Sequence, residues 1–114
     1  MFLTWHLPDR YPEGTEVGPV YRMDREYQPT AYWIYAKSAP ISQDIIVDIN
    51  KNGVSIFSLE INRPRLVRET SSYEQFVPLE TFNEGDIITL DVDQRTDGAG
   101  PLTIQIDLDE FYAD

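Results

Sequence analysis

The sequence contains no cysteine, a single histidine and only 9 basic residues against 20 acidic ones. Without cysteine there is no disulfide scaffold, no thiolate zinc site and no thiol nucleophile. A formal net charge of −11 sets the chain against phosphate backbones and anionic membranes, so neither nucleic acid nor membrane insertion is expected. No apolar run approaches the roughly 20 residues of a membrane span. The opening Met1-Phe2-Leu3-Thr4-Trp5 lacks the basic flank and long apolar stretch of a secretory signal. Helical periodicity is missing too: no window gathers its apolar residues on one helical stripe.

What is present is alternation. From Leu102 to Asp109, Leu102, Ile104, Ile106 and Leu108 fall on one face and Thr103, Gln105, Asp107 and Asp109 on the other. Ile87 to Asp93 repeats the pattern with Ile88, Leu90 and Val92 inward. With a turn-rich connection over 96–101 between them, the two read as an antiparallel hairpin, Leu90 beside Ile106 and Val92 beside Ile104. A second hairpin joins Ile45–Ile49 to Val54–Ser58. Asn52-Gly53 allows a two-residue type I′ turn pairing Ile49 with Ile56. A four-residue loop over 50–53, pairing Ile49 with Val54 and Val47 with Ile56, matches apolar to apolar and is the expected register. Thr30–Ser38 is a further strand, ended by Ala39-Pro40. Val17–Asp24, broken by Gly18-Pro19, is expected at an edge or a bend, and Leu66–Thr70 and Gln75–Leu79 are short candidates. Short strands punctuated by turns predict an all-β, jelly-roll-like antiparallel β-sandwich over 17–110. An extended N-terminal arm over 1–16 and a short acidic tail over 111–114 flank it. A chain of 114 residues suits one such domain, given ~100–200 residues per domain.

Catalytic groups are scarce. His6 lies in the expected arm, and no nucleophile-elbow sequence accompanies it. No catalytic residue, metal ligand or cofactor is assigned. Calcium is the metal worth weighing, because Asp86, Asp91, Asp93, Asp107 and Asp109 fall on the last two strands. The hairpin register sets Asp91 opposite Gln105 and Asp107 opposite Thr89, which is how a solvated face is built.

Three groups of residues are interface candidates instead. If Tyr32 and Ile34 point inward, Trp33 and Tyr35 point outward, and Trp33 needs cover from the arm, a neighbouring subunit or a ligand. Arg63, Arg65 and Arg68 hold three of the nine basic residues within six positions. They either meet the acidic surface of another copy or balance Glu60 and Glu69 locally. Phe2, Leu3, Trp5 and Leu7 make the first seven residues strongly apolar. They dock on a larger partner, exchange between subunits, or pack across the open end of the same sandwich. In the docking case, deleting residues 1–7 abolishes assembly and leaves the sandwich folded.

From Ala31 to Leu108 the chain resembles a β-sandwich module recurrent in tailed-bacteriophage virion proteins. The likeness runs through Ala36-Lys37-Ser38-Ala39-Pro40, the stretch from Ile45 to Ser58, Arg63-Pro64, Thr81-Phe82-Asn83-Glu84-Gly85-Asp86 and Leu90-Asp91-Val92-Asp93-Gln94. Its matched positions specify the fold: Asn52 and Gly53 turn a hairpin, Pro40 ends a strand, and Gly85-Asp86 opens one. The resemblance implies a virion location, as a tail-fibre, baseplate or capsid-accessory component with no chemistry of its own. The implied partners are other copies of the chain, with a trimer favoured, and a larger virion protein. A carbohydrate-binding or host-adhesion module, with exposed aromatics stacking on a host-surface glycan, is the alternative.

Overall fold

The computed structural model describes residues 2–76, 80–96 and 100–110. Nine strands occur among them: β1 (Phe2–Leu7), β2 (Tyr21–Arg22), β3 (Tyr27–Ala36), β4 (Ile45–Lys51), β5 (Val54–Ser55), β6 (Arg65–Leu66), β7 (Ser72–Phe76), β8 (Ile87–Gln94) and β9 (Leu102–Glu110). One sheet has the order β1-β9-β3-β7. The other runs β2-β8-β4, with β5 and β6 paired to opposite ends of the far edge of β4. All pairings are antiparallel, and this strand order is that of a jelly roll in which β5 and β6 share one strand's place. The expected fold class is borne out.

Alternation placed the buried faces correctly. Leu102, Ile104, Ile106 and Leu108 of β9 meet Ile88, Leu90 and Val92 of β8 in one core, with Val47 and Ile49 of β4 beside them. It did not reveal neighbours. The expected β8–β9 hairpin does not form, because β9 lies between β1 and β3 while β8 lies between β2 and β4. Both strands present an apolar face inward, and that pattern is satisfied equally by strands side by side or facing across a sandwich.

The β4–β5 hairpin corrects a second expectation. Asn50 pairs with Ser55 and Lys51 with Val54, leaving Asn52-Gly53 as a two-residue turn with φ of 53° and 84°. Ile49 therefore sits opposite buried Ile56, whose N–H reaches the Ile49 carbonyl at 3.0 Å. Val54, which apolar matching had placed against Ile49, is 70% exposed at the tip. Val47 does not oppose Ile56 as expected: the chain leaves the sheet after Ser55, and Val47 N bonds Pro64 O instead.

That turn is tied to the start of β8. Asn52 Nδ2 donates to Asp86 Oδ1 at 2.9 Å, and Ile87 N donates to Asn52 Oδ1 at 2.9 Å. Asn83 N closes the unit on Asp86 Oδ2 at 2.7 Å. Burial acts to raise the Asp86 pKa, but the Asn83 and Asn52 bonds and the Lys51 charge outweigh it and hold the carboxyl below its ordinary value. A lowered folded pKa gives stability that is present above the unfolded value and lost as pH falls through the folded one. Asp86→Ala is expected to lose about 1–2 kcal/mol at neutral pH, the low end for charged hydrogen bonds at an exposed site. The deficit should fade in acid below about pH 4. Urea titrations at neutral and acid pH test this; equal midpoints at neutral pH would mean the two turns are independent.

The residues expected as an extended arm form the outer strand of the first sheet. Phe2–Leu7 pairs with β9 from Phe2↔Asp107 to Leu7↔Leu102. Leu3, Trp5 and Leu7 are buried in the chain's own core and are unavailable as contacts to a partner; only Phe2 of the four is exposed, at 59%. Trp5 Nε1 donates to Pro19 O at 2.8 Å, and its ring meets Tyr21 edge-on at 5.3 Å. Gly18 has φ 79°, and a Cβ there would lie 3.2 Å from Leu7 Cδ2, so the 17–19 loop can close over this strand only as glycine. Deleting residues 1–7 would therefore strip core from the sandwich.

Shorter strands differ in extent. β3 ends at Ala36, and Pro40 lies in the following loop, its carbonyl accepting from Glu69 N at 2.8 Å. The expected Val17–Asp24 strand is reduced to β2, at an edge. Most of Gln75–Leu79, Asp97 of the Gly-rich turn and the 111–114 tail lie outside the described residues.

Candidate functional site

Two surfaces emerge from how the sheets are clad. On the outer face of the second sheet, Asp48, Asn50 and Thr89 are buried although they point away from the core. Asp48 stands directly opposite Asp91, and Arg63 covers it, with Nε 3.4 Å from Asp48 Oδ2 and a nitrogen 2.9 Å from Asp93 Oδ2. Ser55 Oγ donates to Asp48 Oδ1 at 2.7 Å. Burial raises the Asp48 pKa; the Ser55 bond and Arg63 work against that, and Asp93 and Asp91 add to it. Arg63 thus finds its carboxylates inside the chain. Of the two partners expected locally, Glu60 makes a long contact at 3.9 Å and Glu69 makes none among the described residues; the main ones, Asp48 and Asp93, come from strands that the fold brings near.

Among the described residues, nothing covers the outer face of the first sheet. Phe2 and His6 of β1, Tyr35 of β3, and Ser72 and Glu74 of β7 are all exposed there. Trp33 and Tyr35 point outward as the alternation required, and their rings stack on each other, 5.5 Å apart and 19° from parallel. Trp33 Nε1 donates to Ser72 Oγ at 2.9 Å. His6 Nδ1 lies 2.8 Å from Thr103 Oγ1, its cross-strand partner. The N-terminal strand cannot cover Trp33, because β9 separates β1 from β3. Three interface candidates, Phe2, Trp33 and Tyr35, so come to share one face.

The arginines gather on a flank. β5 and β6 are two residues each, so the second sheet stops short of β7 and the sandwich stays open along that edge. Tyr73 and Gln75 have the inward parity of Ile34 and Tyr32, yet Tyr73 is 43% exposed, since among the described residues no long strand lies above it. A groove of about 260 Å³ results, lined by Tyr32, Tyr73, Gln75, Arg63 and Arg65, with Ile61 and Val67 at its rim. The Tyr32 and Tyr73 hydroxyls both donate to Gln75 Oε1, at 3.0 and 3.1 Å. Burial, with Tyr73 adding to it, pushes the Tyr32 hydroxyl up to about 12, partly offset by Arg65. Beyond Val67, Arg68 borders a second depression, where its N–H donates to Asp44 Oδ1 at 3.0 Å.

The sequence reading missed Tyr73, Gln75, Ile61 and Val67. A usable signal existed: Ile61 and Val67 are apolar residues outside any clear strand pattern, on either side of the arginines. The five aspartates weighed for calcium divide between the sheets, Asp91 and Asp93 on β8 and Asp107 and Asp109 on β9, with Asp86 in the turn before β8. Among the described residues no group of three or more acidic or histidine side chains has a metal-binding arrangement.

No protein-family model and no curated protein matches the chain. Among solved structures, the Drosophila NLP core, described for pentamer formation and histone binding, aligns with a TM-score of 0.52 and 14% identity. That alignment covers 96% of this chain and 98% of the other. The likeness is one of fold. Carbohydrate-binding module CBM36 in complex with calcium and xylotriose aligns with a TM-score of 0.47 at 14% identity, over 95% of this chain and 72% of the module. The tobacco streak virus coat protein dimer gives a TM-score of 0.38 at 10% identity, over 100% and 88%.

Proposed function

We propose that the chain is a non-enzymatic assembly module of a tailed-bacteriophage virion, self-associating through the outer face of its first sheet. The observation that carries this is the bare face itself. Phe2, Trp33 and Tyr35 lie on it together with Thr4, Thr103 and Gln105, with Glu74 opposite Trp33 and Asp107 opposite Phe2, in a chain whose net charge is −11. The stacked Trp33–Tyr35 pair, with Thr103 and Gln105 beside it on β9, has the aromatic character of an interface core, and the two carboxylates fall at its margin. With so high a net charge, contact between copies favours the surface where repulsion is least. The virion-module resemblance over 31–108 supplies the setting, and a trimer is the favoured assembly.

Light scattering behind a sizing column at moderate salt should return a discrete trimer. A Trp33→Glu, Tyr35→Glu double variant should run as a folded monomer, since both side chains already face solvent in the single chain. An unchanged mass in that variant would remove the outer face from assembly. A monomeric parent chain would overturn self-association, and tryptophan emission shifted by added glycans would then favour the host-adhesion reading of the Trp33–Tyr35 pair.

A further inference from the structure

The geometry points to the groove between β6 and β7 as a binding site for a saccharide that carries a carboxylate. It is distinct from the outer face, since Tyr32, Tyr73 and Gln75 have inward parity and Trp33 and Tyr35 the opposite.

Each part of such a ligand meets a suitable group. Tyr73 stands at the groove 43% exposed, with its hydroxyl held by Gln75, so the ring is presented in a fixed orientation. An aromatic face set in this way is what the apolar side of a pyranose stacks on. Gln75 receives both tyrosine hydroxyls on Oε1, and its amide nitrogen makes no hydrogen bond among the described residues. It is therefore left to donate to a sugar hydroxyl, and Asn62 on the facing wall adds a second amide.

The charge comes from Arg65. Its Nε is buried without a hydrogen bond among the described residues, and its nearest carboxylate, that of Asp44, is 3.8 Å away, too far for one. The Nε of Arg63 next to it is likewise buried without a hydrogen bond, but it lies 3.4 Å from Asp48, and a terminal nitrogen of Arg63 is held by Asp93 at 2.9 Å. Arg65, whose one carboxylate contact is at 3.8 Å, is thus the less engaged of the two guanidiniums lining the groove, and a planar fork of donors is suited to bidentate carboxylate recognition. At about 260 Å³ the groove falls just below the ~300–1,000 Å³ of small-molecule pockets, which fits one sugar ring in depth.

Calorimetric titration of the intact protein with trigalacturonate and 3′-sialyllactose tests this, with galactotriose and lactose as neutral counterparts and sulfate as an anion without a ring. At least one acidic saccharide should bind about tenfold more tightly than its neutral counterpart and than sulfate, with affinity falling as salt is raised. Arg65→Met should abolish the preference for the acid. Tyr73→Ala should weaken binding about tenfold, and Trp33→Ala should leave it unchanged. Thermal unfolding identifies any variant that fails to fold, and because Tyr73 and Arg65 contribute separately, either variant alone suffices. No binding of either acidic saccharide overturns the proposal. So does sulfate binding equally well, a neutral sugar binding as tightly as the acid, or loss of binding in Trp33→Ala. The oligomer mass is read separately, so the assembly proposal stands or falls on its own result.

Discussion

Replacing Trp5 by alanine is expected to cost about 3–5 kcal/mol, the range for a large aromatic removed from a packed core. The indole is fully buried, and three separate contacts converge on its strand. Its N–H bonds Pro19 O, Tyr21 packs edge-on against the ring, and the Tyr21 hydroxyl donates to Thr4 O on the same strand. Truncation empties the space under the 17–19 loop, orphans a carbonyl and loosens the outer strand of the sheet. Against a total stability of about 5–15 kcal/mol, that is a large share. Trp5→Phe separates the causes: it refills most of the volume and loses only the hydrogen bond, so its deficit should be about 1–2 kcal/mol. Urea unfolding at neutral pH measures both. A Trp5→Ala loss under about 1 kcal/mol would show that the N-terminal strand contributes little to folding.

Arg63→Met should destabilise the protein by about 2–3 kcal/mol at pH 7. Breaking a buried ion pair leaves an uncompensated charge, at about 3–5 kcal/mol in fully buried cases. The lower figure applies because a quarter of the Arg63 side chain is exposed and it is shared with Asp93. The effect has a pH signature. A carboxyl whose folded pKa is raised adds stability that is fully present below its unfolded value and lost as pH rises through the folded one. Burial puts Asp48 in that class, and losing Arg63 removes one of the two influences that lower it. The deficit of Arg63→Met should therefore shrink as pH is lowered from 7 towards 4, where Asp48 takes up a proton and no longer needs a counter-charge. A deficit constant over that range would show that Arg63 acts by packing alone. Asp48→Asn, which retains an oxygen for the Ser55 hydroxyl, should abolish the dependence.

These two residues illustrate what could and could not be read in advance. The inward faces of β3, β8 and β9 were legible from alternation alone, because burial of one sheet face imposes a period of two on any sequence. Trp33 and Tyr35 were placed outward by the same logic. Neighbours were not legible: β8 and β9 follow one another in the chain yet belong to different sheets, and a core between sheets rewards the same pattern as a hairpin does. In the β4–β5 turn, apolar matching pointed one way and Asn52-Gly53 backbone chemistry the other, and the backbone decided because Asn-Gly readily takes the positive φ at both positions that a type I′ turn needs. The burial of Asp48 left no trace in the pattern, because Arg63 and Ser55, which satisfy it, come from other parts of the chain. The groove was illegible for a related reason. It exists because β5 and β6 are too short to cover β7, and strand shortness shows in a sequence only as the absence of a pattern.

The strand order carries a consequence for how the molecule is made. Among the described residues β1 pairs with β9 alone, about a hundred residues on, and β3, though it can pair with β7 earlier, gains its other neighbour from the same strand. Local hairpins such as β4–β5 close early, but the first sheet has no centre until β9 has left the ribosome. Until then Leu3, Trp5, Leu7 and Ile34 are apolar surface without a home. Folding dominated by such distant pairings is slow, and its intermediates are prone to aggregate. A net charge of −11 opposes contact between nascent copies during the interval in which their cores are open.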